Sequence, residues 1–141
     1  MKSLAQHLLW FVPMLWLGMV LAISFLEAPL KFRAPGVTTE LGLGIGRLVF
    51  RALNTVESVL AALLVVSAVV LRPAGGVWTW AAVAVGILTV QLAVVRPPLS
   101  RRSDRVLAGE DLPRSTGHYW YIALEVAKVI ALIGLAITAA P

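Results

Sequence analysis

His118, Tyr121, Glu125 and Lys128 fall within the segment GHYWYIALEVAK, at the head of a run that ends VIALIGLAITAAP. Their offsets of three, seven and ten residues put all four on one stripe of a helix turning about 100° per residue. A carboxylate, an ammonium, a phenol and an imidazole on one face can bind or relay a proton or hold a small ion. A second face repeats the pattern. GRLVFRALNTVES places Arg47, Arg51, Asn54, Glu57 and Ser58 together. Gln91 and Arg96 add polar groups to a third apolar segment, and Glu27 borders the first, just before Pro29.

These residues need an apolar frame. Of 141 residues, 60% are apolar and 13% charged, against about a quarter charged in a soluble domain. The composition predicts an all-α, polytopic membrane protein with one four-helix transmembrane domain over 1–141. Segments long enough to cross a bilayer, about 20 residues each, run over 8–26, 52–71, 77–95 and 118–138. Pro29 and Pro35 are expected to end the first, Arg72-Pro73 with Gly75-Gly76 the second, and Pro97-Pro98 the third. Pro13 is expected to kink the first span. The first span is too long, and AISFLEAP too poor a cleavage site, for a signal peptide.

Charge asymmetry gives a direction. The loop after the first span, with the start of the next helix, and the loop over 96–117 carry nine lysines and arginines; the opposite side carries Lys2 and Arg72. By the positive-inside rule both termini face the non-cytoplasmic side. Trp10, Trp78 and Trp80 then mark the outer interface, and Tyr119 and Trp120 the inner one. The stretch 96–117 is expected to be a topogenic cytoplasmic loop, with a short interfacial helix over SDRVLAGE as the alternative, and Ser115 or Thr116 can cap the last helix.

Depth follows from direction. Glu125 lies about 10 Å inward of His118, and Lys128 close to the midplane. The titratable groups of the spans therefore gather in the cytoplasmic half, above an apolar plug. A buried charge costs at least ~2.5–3.5 kcal/mol on insertion scales, so such groups face the bundle interior and find partners. Glu27, Glu57 and Glu125 can be balanced by Arg47, Arg51 and Lys128. The bland alternative is a charge network that only fixes helix register.

Other chemistries are weaker in the sequence. There is no cysteine, which excludes disulfides and thiolate sites. His7, Met14 and Met19 suggest packing more than soft-metal ligation, and paired haem ligation by His7 and His118 fails on depth. The net charge of +5 speaks to topology, with little soluble surface for nucleic acid. Small residues four apart, as in Gly18-xxx-Ala22 and Ala82-xxx-Gly86, allow close helix contact and hint at a homo-oligomer.

The stretch WLGMVLAISFLEAPLKFRAPGVTTELGLGIGRLVFRALNTVE resembles the opening of the four-helix membrane proteins of the transmembrane protein 205 family. GHYWYIALEVAK is similar to the His-bearing last helix of that family. The resemblance spans about half the chain. It implies a four-helix fold and no catalytic residue, and the chain lacks the insertion that the human member carries before its last helix.

The reading expected from these features is a protein of the cell membrane, of bacterial inner-membrane type, with a cytoplasm-facing polar vestibule for an ion or small polar molecule. Its binding residues would be Glu57, Glu125, Lys128, Arg51, Asn54, His118, Tyr121, Gln91, Arg47 and Glu27. The alternatives are an accessory subunit whose polar faces meet a partner in a larger membrane complex, and a quinone- or haem-linked redox protein using His118, Tyr121 and Arg51. No cofactor is specified by the sequence.

Overall fold

The computed structural model describes residues 1–112 and 116–141, and every regular element among them is helical. Four helices are long and apolar enough to cross a membrane: α1 (Lys2–Arg33), α2 (Thr39–Leu71), α3 (Gly75–Leu107) and α4 (Thr116–Ala139). At 1.5 Å per residue the first three are each about 50 Å long, well beyond a hydrocarbon core of about 30 Å. They overshoot α4 at one end, called here the basic end because it carries Arg33, Arg47 and Arg96. The other end holds both termini and the tight turn after Leu71, where Arg72 adopts a left-handed φ of 49° and its N–H reaches back to Ala68.

Two of the expected proline stops, at Pro29 and at Pro97-Pro98, do not end their helices. α1 continues past Pro29 to Arg33, and α3 continues through Pro97-Pro98 to Leu107. The reason is the same in both. A π-helical stretch precedes each proline, over Leu21–Glu27 and over Gln91–Val95. There the Ala28 N–H bonds the Ile23 carbonyl, and the Arg96 N–H bonds the Gln91 carbonyl, five residues back. The widened turn shifts the hydrogen-bond ladder just before the residue that has no N–H to give. Much of the expected 96–117 loop is thus helix, and SDRVLAGE mostly completes α3, which ends before Gly109 at φ 94°. Pro35 does end α1: Ala34 is extended, as a residue before proline prefers. Thr38 then caps α2 by accepting the Leu41 N–H at 3.1 Å. The cap expected from Ser115 or the Thr116 side chain lies outside the described residues, as does Arg114.

The helices follow sequence order around the bundle, with seams of unequal length. α1 packs along both α2 and α4, α4 packs along α3, and the α2–α3 seam is short. The half toward the termini is apolar, built on Val12, Leu64, Ala68, Ala84, Leu132 and Leu135. Pro13 is buried inside α1. Trp80, near the start of α3, packs partly buried over Gly134, close enough that a Cβ there would come within 2.5 Å of the indole. Trp10 and Trp78 remain at the surface.

Candidate functional site

Lys128 stands at the centre of a polar cluster to which all four helices contribute. Its side chain is wholly buried, and its ammonium has three protons to place. It donates to Glu57 Oε2 of α2 at 2.5 Å and to Gln91 Oε1 of α3 at 2.9 Å, and it pairs with Glu125 Oε1 of its own helix at 2.6 Å. Gln91 turns its amide nitrogen to Glu125 Oε1 at 2.8 Å. Trp16 of α1 donates its indole N–H to Glu57 Oε2 at 2.7 Å.

Local structure explains why these side chains converge. Glu125 and Lys128 are three residues apart and share a face of α4. Gln91 opens the π-helical stretch of α3, a distortion that commonly marks functional positions. Trp16 lies on the same face of α1 as the buried Val12 and Val20.

The cluster is incompletely neutralised. Glu57 and Glu125 bring two negative charges and Lys128 one positive charge. Each carboxylate uses one oxygen twice, while Glu57 Oε1 and Glu125 Oε2 are buried without any hydrogen-bond partner. The Tyr121 hydroxyl, one turn from Glu125, is also buried and unpartnered. A buried carboxylate oxygen without a donor is expensive. The arrangement is suited to accept one further positive charge, such as a proton or the ammonium of a ligand. Among the described residues no His, Cys, Asp and Glu group is fit to hold a metal ion.

Beside the cluster lies a cavity of about 820 Å³ that opens toward the basic end. Glu125 and Tyr121 border it, and Lys31, Arg47, Arg96 and His118 line it farther out. Phe50 organises this wall. Its ring meets Tyr121 edge-on at 5.9 Å, with Arg96 at 5.6 Å and the Lys31 ammonium at 5.9 Å from its centroid. Two glycines make room. A Cβ at Gly46 would come within 2.8 Å of Lys31 Nζ, and one at Gly42 would collide with the Phe32 ring.

The expected site residues therefore divide. Glu57, Gln91, Glu125 and Lys128 form the cluster, and Tyr121 adjoins it. Asn54 is buried one turn from Glu57 but points into a smaller groove between α2 and α3, about 350 Å³, shared with Arg47, Arg51 and Arg96. Arg51 does not balance Glu57. Six residues of helix separate their directions by about 120°, so Arg51 faces the groove while Glu57 faces Lys128. Glu27 pairs with Lys31 at 3.6 Å, not with a deeper arginine. Arg47 pairs with Asp104, a contact made possible by the unexpected extension of α3. His118 is exposed at the cavity mouth.

Trp16 is the residue that sequence reasoning missed. Hydropathy counts an indole as apolar, yet a tryptophan deep in a span, away from the interfacial belt, needs a partner for its N–H. Comparison with models of known protein families, with curated proteins and with solved structures returned no match.

Proposed function

We propose that this chain is a small integral membrane transport or binding protein, taking up an ion or small polar molecule from the cytoplasmic side through the vestibule, with an exchangeable proton on the Glu57–Lys128–Glu125 cluster. The membrane is a cell membrane of bacterial inner-membrane type, and the termini face away from the cytoplasm. The likeness to the transmembrane protein 205 family belongs to the same proposal.

One observation carries the reading. The cluster holds two carboxylates against one ammonium, with two carboxylate oxygens unpartnered. A network that only fixed helix register would gain nothing from the surplus charge, because a half-satisfied polar core is worse than an apolar one. A site that accepts a proton and gives it up needs that surplus. Its position beside a cavity lined by Glu125 supplies access from the basic end.

The experiment is proton flux in proteoliposomes loaded with a pH-sensitive dye. The wild-type chain should collapse an imposed pH gradient faster than empty liposomes, and Glu125→Gln should return the rate to background while the protein stays folded. Equal rates for the folded variant and the wild type would remove Glu125 from the site.

A further inference from the structure

The vestibule is electrically bipolar. Its inner end is the cluster of two carboxylates and one ammonium, and the unpartnered oxygens of the two residues there that line the vestibule, Glu125 Oε2 and the Tyr121 hydroxyl, can both accept hydrogen bonds. Its wall carries the opposite sign. Arg47 is held by Asp104 and Lys31 more loosely by Glu27 at 3.6 Å. The Arg96 guanidinium stacks on Phe50, and no ion pair engages it among the described residues. His118 and Arg102 border the same space farther out.

From this juxtaposition, and resting on the vestibule reading above, we infer that the ligand is a two-ended organic ion: an ammonium group that reaches Glu125 Oε2 and Tyr121, and an anionic oxygen group that meets Arg96 beside Lys31. A simple anion would leave the two inner acceptors bare, and a simple cation would leave Arg96 unengaged. Each end of the two-ended ion forms a charge-assisted hydrogen bond, and guanidinium geometry suits a carboxylate or phosphate. The chain between the ends runs past Phe50 and Ile122, which supply an apolar wall.

The fold also sets the length. Arg96 and Lys31 both lie against Phe50, and Phe50 lies against Tyr121. The cationic wall is therefore level with Tyr121, one helical turn from Glu125. With the reach of the side chains, the two ligand charges stand about 6–10 Å apart. An α-amino acid is too short, and an ω-amino acid with several methylenes fits. As the ammonium arrives, the proton that neutralised the empty cluster leaves through the vestibule, so one positive charge replaces another.

The test uses 6-aminohexanoate as the two-ended probe, with hexanoate and hexylamine as one-ended controls, titrated calorimetrically into the chain in lipid nanodiscs. The two-ended probe should bind about tenfold or more tighter than either control. Arg96→Gln should erase its advantage over hexylamine. Tyr121→Phe, which keeps the ring against Phe50 and removes only an unpartnered hydroxyl, should weaken the two amines several-fold and leave hexanoate unchanged. No advantage for the two-ended probe, no binding by any of the three, or an advantage untouched by both substitutions would overturn the inference. If hexanoate or hexylamine binds equally well and proton flux still needs Glu125, only the two-ended ligand is lost. If flux ignores Glu125, the vestibule reading itself fails.

Discussion

Neutralising one carboxylate of the cluster should be tolerated, and neutralising both should not. In Glu57→Gln the amide oxygen can still accept from Trp16 and Lys128, and the new NH₂ takes the side where Glu57 Oε1 has no partner. Lys128 keeps Glu125 at 2.6 Å and Gln91 at 2.9 Å. The loss is the charge contribution to one contact, about 1 kcal/mol. Glu125→Gln is the mirror case, with Glu57 left to hold Lys128 at 2.5 Å. The double variant strands a wholly buried ammonium, which costs about 3–5 kcal/mol. Two single losses of about 1 kcal/mol leave roughly 2 kcal/mol of coupling, within the range seen for groups in one network. Reversible unfolding in mixed micelles measures the cycle. Adding Lys128→Met to the double variant should restore most of the loss. Additivity within about 0.5 kcal/mol, or a single variant as damaged as the double, would refute the idea that both acids share one lysine.

Trp16→Phe removes the indole donor from Glu57 and should cost about 1.5–3 kcal/mol in the same unfolding assay; a loss below 0.5 kcal/mol would mean the bond contributes little. Gly134→Ala drives a methyl into the Trp80 indole and should destabilise by about 1–3 kcal/mol. Gly86→Ala, where a Cβ meets nothing within 4 Å, should not, and gains up to about 1 kcal/mol of helix propensity; equal melting shifts for the two would contradict the packing. Reporter fusions at Pro141 and near Asp104 should give opposite signals, with Asp104 cytoplasmic; a cytoplasmic Pro141 reporter would invert the vestibule.

Much of this arrangement was legible in the sequence, for definite physical reasons. Two glutamates, a glutamine and a lysine in spans made mostly of apolar residues have few places to go except one another. The stripe of Tyr121, Glu125 and Lys128 is buried as its periodicity requires. What the sequence concealed was backbone register. Pro29 and Pro97 read as helix ends because a proline removes a donor, but a π-turn placed just before each one absorbs the defect. That change lengthens α3 enough for Asp104 to take Arg47. Arg51 and Glu57 share one broad polar face in the sequence pattern, yet about 120° of rotation separates a groove from a core. The Glu57–Lys128 contact links residues far apart in the chain, and only the packing of α1 along both α2 and α4 decides that Lys128, and no arginine, is the cation Glu57 meets.

The central claim is that the cluster carries one more carboxylate than it has cations and fills the deficit with an exchangeable proton. Infrared spectroscopy of the chain in lipid tests it most directly. In the absence of ligand the account predicts a protonated-carboxyl C=O band that shifts in D₂O, weakens on addition of a bound ammonium probe such as 6-aminohexanoate, and is lost in both Glu57→Gln and Glu125→Gln, where the remaining carboxylate has Lys128 to itself. A spectrum with both glutamates ionised and no exchangeable carboxyl band, in a folded protein, would contradict it.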